Sequence, residues 1–195
     1  PAAPIPVTPY SVWVSETMLQ QTRVSAVVPF YLRWMSTLPT VQHLAAATDD
    51  EVNGLWAGLG FYRRARNLQK GAKHVVAEFD GSFPAASERL ETIPGIGPYT
   101  AAAVASICHG ERRVAVDGNV LRVVSRLTGV CSHVKGKYGG PLGREIAKGL
   151  YDGVEGAEAV DSGVVNQALM ELGATYQSKG GVNDHAEDPL KGMYF

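Results

Sequence analysis

The chain has 195 residues, 45 % of them apolar and 19 % charged, enough for one or two small domains that bury a core of their own. Eighteen basic against nineteen acidic residues give a formal net charge of −1, so average charge offers no reason to expect nucleic-acid binding. No run of eighteen apolar residues is present, the opening PAAPIPVTPY lacks the layout of a signal peptide, and two cysteines make no disulfide framework. The expectation is an intracellular chain that does not enter a membrane, and its start on proline is expected of a trimmed chain or fragment.

In chain order the pattern is helical almost throughout. Val14, Met18, Leu19 and Thr22 fall at helical spacing in residues 11–22, and a second helix, 24–35, follows a break near 21–23 and carries Pro29 inside it, which is expected to bend it. Thr48-Asp-Asp-Glu51 has the form of a capping box and opens a helix through Leu59, which Gly60 ends. Residues 62–79 form the next helix and 85–91 a short one. Pro94-Gly95-Ile96-Gly97-Pro98 then reads as a hairpin leading into a helix at 99–108, rich in small residues. Helices are expected at 120–127, 142–152 and 162–174, with a loop at 135–140 and a loose tail from Ser178.

Four features carry possible chemistry, and each has a duller reading. Gly95 and Gly97 let backbone approach a ligand, and a helix opening near Pro98 aims N–H groups at an anion, yet glycine turns often only join helices. Asp117 in Val116-Asp117-Gly118-Asn119 is either a reactive carboxylate or a helix N-cap. Glu16 has Trp13 and Leu19 three residues to either side and no base within a turn, a partly desolvated place that favours the protonated acid; the alternative is an ordinary surface glutamate. Arg63, Arg66, Lys70 and Lys73 make one helical stripe, joined by Arg112, Arg113, Arg122 and Arg126, and are either a phosphate-binding face or a solvated one.

Hairpin, small-residue helix and aspartate in this order resemble the helix-hairpin-helix DNA glycosylases, over about residues 9–175. The resemblance implies an all-α fold of two helical lobes with the active site in the cleft between them. The division read here is a tail at 1–9, a six-helix lobe at 10–113, a second lobe at 114–177 and a tail at 178–195. Ser15-Glu16-Thr17-Met18-Leu19-Gln20-Gln21-Thr22 is similar to the motif of the adenine DNA glycosylases of the MutY family. That similarity implies excision of adenine mispaired with 8-oxoguanine or guanine, Glu16 donating a proton to adenine N7 while an ionised Asp117 faces the sugar C1′. Two carboxyl groups in opposite protonation states follow the logic of glycosidases. Tyr99 is expected to hydrogen-bond within this pair, and Asn119 to orient the sugar or water. Endonuclease III-type relatives place a nucleophilic lysine where this chain has Tyr99, so a monofunctional enzyme is expected.

The same resemblance makes Gln21 the wedge entering the base stack, with Thr22 and Leu59 beside the opposite base, and Gln167 a contact to adenine. Arg63, Arg66, Gly95, Gly97 and Arg122 complete the expected DNA contacts. The family's Tyr-Tyr after Gly-Leu-Gly is here Phe61-Tyr62, which keeps stacking and loses a phenolic hydrogen bond; for Phe61 the duller reading is core packing. Most members hold a [4Fe–4S] cluster on four cysteines, the first at the position of Gln177, and no cysteine follows Cys131 here, so neither a cluster nor another metal is expected. A family helix with a Pro-Trp motif ahead of Pro9 and a C-terminal domain that reads 8-oxoguanine are also missing from this sequence. The implied partner is double-stranded DNA with a mismatch, bound by a monomer in the nucleus or mitochondrion of a eukaryote or the cytoplasm of a bacterium. A thymine-mismatch glycosylase and a catalytically inactive DNA-binding fragment remain the alternatives.

Overall fold

The computed structural model describes residues 4–129, 145–146, 148–149, 161–176, 189–190 and 193. All regular secondary structure among them is helical: α1 Pro9–Leu19, α2 Val24–Thr37, α3 Val41–Ala46, α4 Asp49–Trp56, α5 Arg63–Phe79, α6 Ser87–Leu90, α7 Pro98–His109, α8 Gly118–Thr128 and α9 Ser162–Thr175. The chain divides into two compact units, Pro1–His109 and Gly110–Phe195.

The ends of these helices follow from local chemistry. α1 starts two residues before the predicted point because Thr8 caps it: its hydroxyl accepts from the Ser11 N–H, and the Ser11 hydroxyl accepts from the Thr8 N–H. It ends three residues early because Gln20 leaves the helix and Gln21 turns to φ +58. The Thr48–Glu51 box forms as read, with α4 stopping at Trp56, short of Leu59. α2 runs unbroken across Pro29. α3 was not anticipated; Thr40 caps it through the His43 N–H, and Val41 and Leu44 anchor it. The predicted loop at 135–140, most of the tail from Ser178 and most of the helix at 142–152 lie outside the described residues, although Glu145, Ile146, Lys148 and Gly149 are helical.

In the first unit α1 packs on α2, α5 and α7, α3 on α5, and α6 on α7. Trp13, Trp34, Trp56, Met18, Leu44, Leu68 and Leu90 are its largest buried side chains, and Trp34 meets Trp56 edge to face. α7 is buried from Thr100 to Ser106, which is what its run of alanines permits. The hairpin before it is seated against α5: Gly95 has φ +89, and a Cβ there would lie 2.8 Å from that of Asn67.

In the second unit α8 packs on α9 around Val120 and Val124, with Leu169 and Met170 against them. The contact is so close that a Cβ on Gly173 would overlap the backbone of Asn119. Asn166, fully buried, ties the segment before α8 to α9, accepting from the Ala115 N–H at 3.0 Å and donating to the Arg113 carbonyl at 2.8 Å.

Candidate active site and nucleic-acid interface

Helix packing in the first unit brings Glu16 of α1 and Tyr99 of α7 together across 83 residues of sequence. The phenol donates to Glu16 Oε2 at 2.6 Å, and both side chains are half-buried. A phenol bound to one carboxyl oxygen fixes the rotation of that carboxyl group. Small residues make this possible, because α7 presents alanines to its neighbours and can lie close to α1.

On the same unit the loop after α1 and the loop after α4 meet at a basin of about 520 Å³ lined by Gln20, Gln21, Phe61, Tyr62, Arg63, Arg64, Arg66 and Asn67. Gln21 is exposed, and Phe61 is 62 % exposed, so the core-packing reading of Phe61 does not hold. Both residues have left-handed backbone, φ +58 and +50. Leu59, expected beside a base, is instead 7 % exposed and packs into the hydrophobic core. Thr22 is half-buried, its hydroxyl donating to the Gln20 carbonyl at 3.3 Å.

Arg64 was not singled out from the sequence, yet it organises this region. Its Nη1 donates to the carbonyls of Thr17, Met18 and Gln20 at 3.1, 2.9 and 2.6 Å. Its Nη2 donates to Thr22 Oγ1 and to the carbonyls of Leu59 and Gly60 at 3.3, 3.4 and 3.2 Å. The guanidinium also lies 5.3 Å from the ring centres of both Trp56 and Phe61. One signal was available: Arg64 shares the buried register of α5 with Leu68, Ala72 and Val75, whereas Arg63, Arg66, Lys70 and Lys73 lie on its exposed face.

In the second unit Asp117 caps α8. Its Oδ1 accepts from the N–H groups of Asn119 and Val120, each at 2.8 Å, and its Oδ2 accepts from Asn119 Nδ2 at 2.7 Å. The duller reading, an N-cap, is thus the observed geometry. Burial raises the Asp117 pKa above its usual 3.8, opposed by the donors from Val120 and Asn119 and by the charge of Arg122. Arg122, expected on DNA, donates here to Asn119 Oδ1 and, at 3.0 Å, to the Gly173 carbonyl. Gln167 is exposed and donates to the Gly163 carbonyl within its own helix, at 3.2 Å. Gly97 is exposed, with open space where a Cβ would stand.

Among the described residues no group of three or more His, Cys, Asp or Glu could hold a metal ion. A four-thiolate cluster does not fit the donors of these 195 residues: there are two cysteines, and burial in α7 pushes the Cys108 thiol up to about 11. Gln177 and Cys131 lie outside the described residues. Nor, among those residues, is any helix long and apolar enough to cross a membrane.

Residues 14–137, more than half of the chain, match the family model described as HhH-GPD superfamily base excision DNA repair protein. The chain belongs to this superfamily. Within it, the sequence is similar to adenine DNA glycosylases: 46 % identical to those of Rattus norvegicus and Homo sapiens over 170 residues, and 42 % to that of Schizosaccharomyces pombe over 167. These matches cover 85 % of this chain but 31 %, 30 % and 35 % of the relatives, so the chain spans about a third of their length. The fold is similar to that of a thermostable thymine-DNA glycosylase, with a TM-score of 0.79 at 23 % identity over 96 % of this chain and 83 % of that one. An endonuclease III–DNA complex gives 0.78 at 22 % over 97 % and 84 %.

Proposed function

We propose that this chain carries the catalytic core of a monofunctional DNA glycosylase that hydrolyses the N-glycosidic bond of adenine mispaired with 8-oxoguanine or guanine. The observation that carries the reading is the Glu16–Tyr99 hydrogen bond, a carboxyl group fixed by a phenol at the position where a lyase would need an amine. Similarity to adenine DNA glycosylases at 42–46 % identity supports the choice of base. An intracellular monomer acting on mismatched duplex DNA is part of the proposal, and no metal enters the chemistry.

Adenine leaves C1′ poorly as an anion. Glu16 holds a proton and delivers it to N7, so the C1′–N9 electron pair departs on a neutral base. Asp117 is ionised and faces the positive charge left on the sugar, and water then adds to C1′ with loss of a proton. Asn119, donating to Asp117 Oδ2, keeps that carboxylate oriented. Gln21 and Phe61 fill the gap that the extruded nucleotide leaves, at a cost that a mismatch lowers.

A base-release assay on duplexes carrying A:8-oxoguanine, A:G, G:T and A:T pairs tests the reading. Adenine is expected from the first two alone, and Glu16→Gln should slow its release by about 10²–10⁴-fold, the range of general acid catalysis. Thymine release from G:T would mark the other mismatch activity. Tight binding without release of any base would mark a binding module.

A further inference from the structure

Among the described residues three non-glycine residues have positive φ, and two of them, Gln21 and Phe61, stand on either side of one arginine. Neither residue type is suited to the left-handed region, which glycine fills far more readily. The Arg64 guanidinium binds the carbonyl of Gln20, immediately before Gln21, and the hydroxyl of Thr22, immediately after it. It also binds the carbonyl of Gly60, immediately before Phe61, and lies against the Phe61 ring. Both distorted residues are therefore flanked by the same cation. Their side chains remain exposed. Among the described residues the buried Nε–H of Arg64 has no acceptor, so all of its hydrogen bonds run through the two Nη atoms that face these loops.

We propose that Arg64 is a positioning residue that locks the Gln21 and Phe61 loops into one preorganised wedge, so that both side chains enter the base stack together. The inference rests on the glycosylase reading above and deepens it. Arg64 does not touch the substrate. It removes the cost of ordering two loops at the moment of extrusion, which otherwise comes out of binding energy. Only a planar fork with two donor-bearing nitrogens can span both loops; the single ammonium of lysine cannot.

The test is Arg64→Lys in the full chain, which keeps the charge and loses the fork. Amide exchange in the free protein should quicken at least tenfold in residues 20–23 and 59–62, with α7 unchanged. A 2-aminopurine beside the target adenine should show a smaller fluorescence rise on binding. Single-turnover release per active molecule, counted by burst titration, should fall at least tenfold while duplex affinity stays within about threefold. A purely structural role would lower the burst amplitude and leave the per-molecule rate and the fluorescence rise as they were, overturning the proposal. Equal exchange in the two loops would overturn it as well. Should R64K fail to fold, Thr22→Val removes one acceptor and leaves the charge in place. Exchange in residues 20–23 must then quicken, and no change there refutes the clamp. If the wild-type chain releases no base, the glycosylase reading fails by itself, and loop exchange still decides the role of Arg64.

Discussion

The two units handle the same physical problem, the unsatisfied backbone at a helix end, with opposite charges. In the first, Arg64 sits under the last carbonyls of α1, where the helix dipole is negative. In the second, Asp117 sits under the first N–H groups of α8, where it is positive. The cation is engaged mostly by backbone carbonyls, with the Thr22 hydroxyl and two rings beside it, and what it presents is its neighbours, Gln21 and Phe61. The anion is itself the candidate reactive group, so the bonds that cap the helix also orient the carboxylate. On the proposed mechanism a cap is scaffolding in one unit and chemistry in the other.

The sharpest way to break this comparison is Asp117→Asn. Asparagine is as good an N-cap as aspartate, so the fold should persist while base release falls at least a thousandfold, with duplex affinity within about threefold of wild type. A variant with normal single-turnover release would reduce Asp117 to a cap. The same substitution probes stability with a definite sign. Because burial raises the folded pKa of Asp117, its contribution favours the folded state below the ordinary carboxylate range and is lost as pH rises through the folded value. Asp117→Asn should therefore melt above wild type at neutral pH, the gap closing as pH falls toward 3.8. Release by the wild-type chain, which needs the anion, should decline on acidification at a pH above 3.8.

A smaller effect is expected from Gly173→Ala. The added methyl group overlaps the Asn119 backbone, so α9 must move away from α8, at about 1–3 kcal/mol for overpacking. In calorimetry this is a fall in Tm of about 2–4 °C per kcal/mol. Base release should drop further than the lost stability explains, because Asn119 holds Asp117. A Tm fall with unchanged release by the folded fraction would separate the cap from the chemistry.

The smallest effect belongs to the exposed face of α5. Arg66→Ala should weaken duplex binding almost equally for matched and mismatched DNA, and lower the slope of log affinity against log salt by about 1. An unchanged slope would return that stripe to plain solvent exposure.

Much of the molecule could be read from residue order because its determinants are local. The Thr48–Glu51 box and the Pro-Gly-Ile-Gly hairpin before α7 act within a few residues, and both formed as expected. So did the break after α1, although its residues gave no hint of left-handed backbone. α3 was missed because six residues, two of them buried, carry too little periodicity to stand out. Leu59 and Arg122 were assigned by resemblance to DNA, whereas the folded chain places one in the core and turns the other toward Asn119 and the Gly173 carbonyl.

What the sequence determined by itself was the class of elements and their order, since propensity, caps and spacing are properties of neighbouring residues; the candidate carboxyl groups were named by resemblance. Tertiary structure decided which groups meet. Tyr99 reaches Glu16 only once α7 lies on α1, and Arg64 turns inward because α5 buries the face it shares with Leu68 and Val75. The backbone groups of Arg113 and Ala115 that the Asn166 side chain binds lie more than fifty residues away, a distance that no local pattern records and only packing closes.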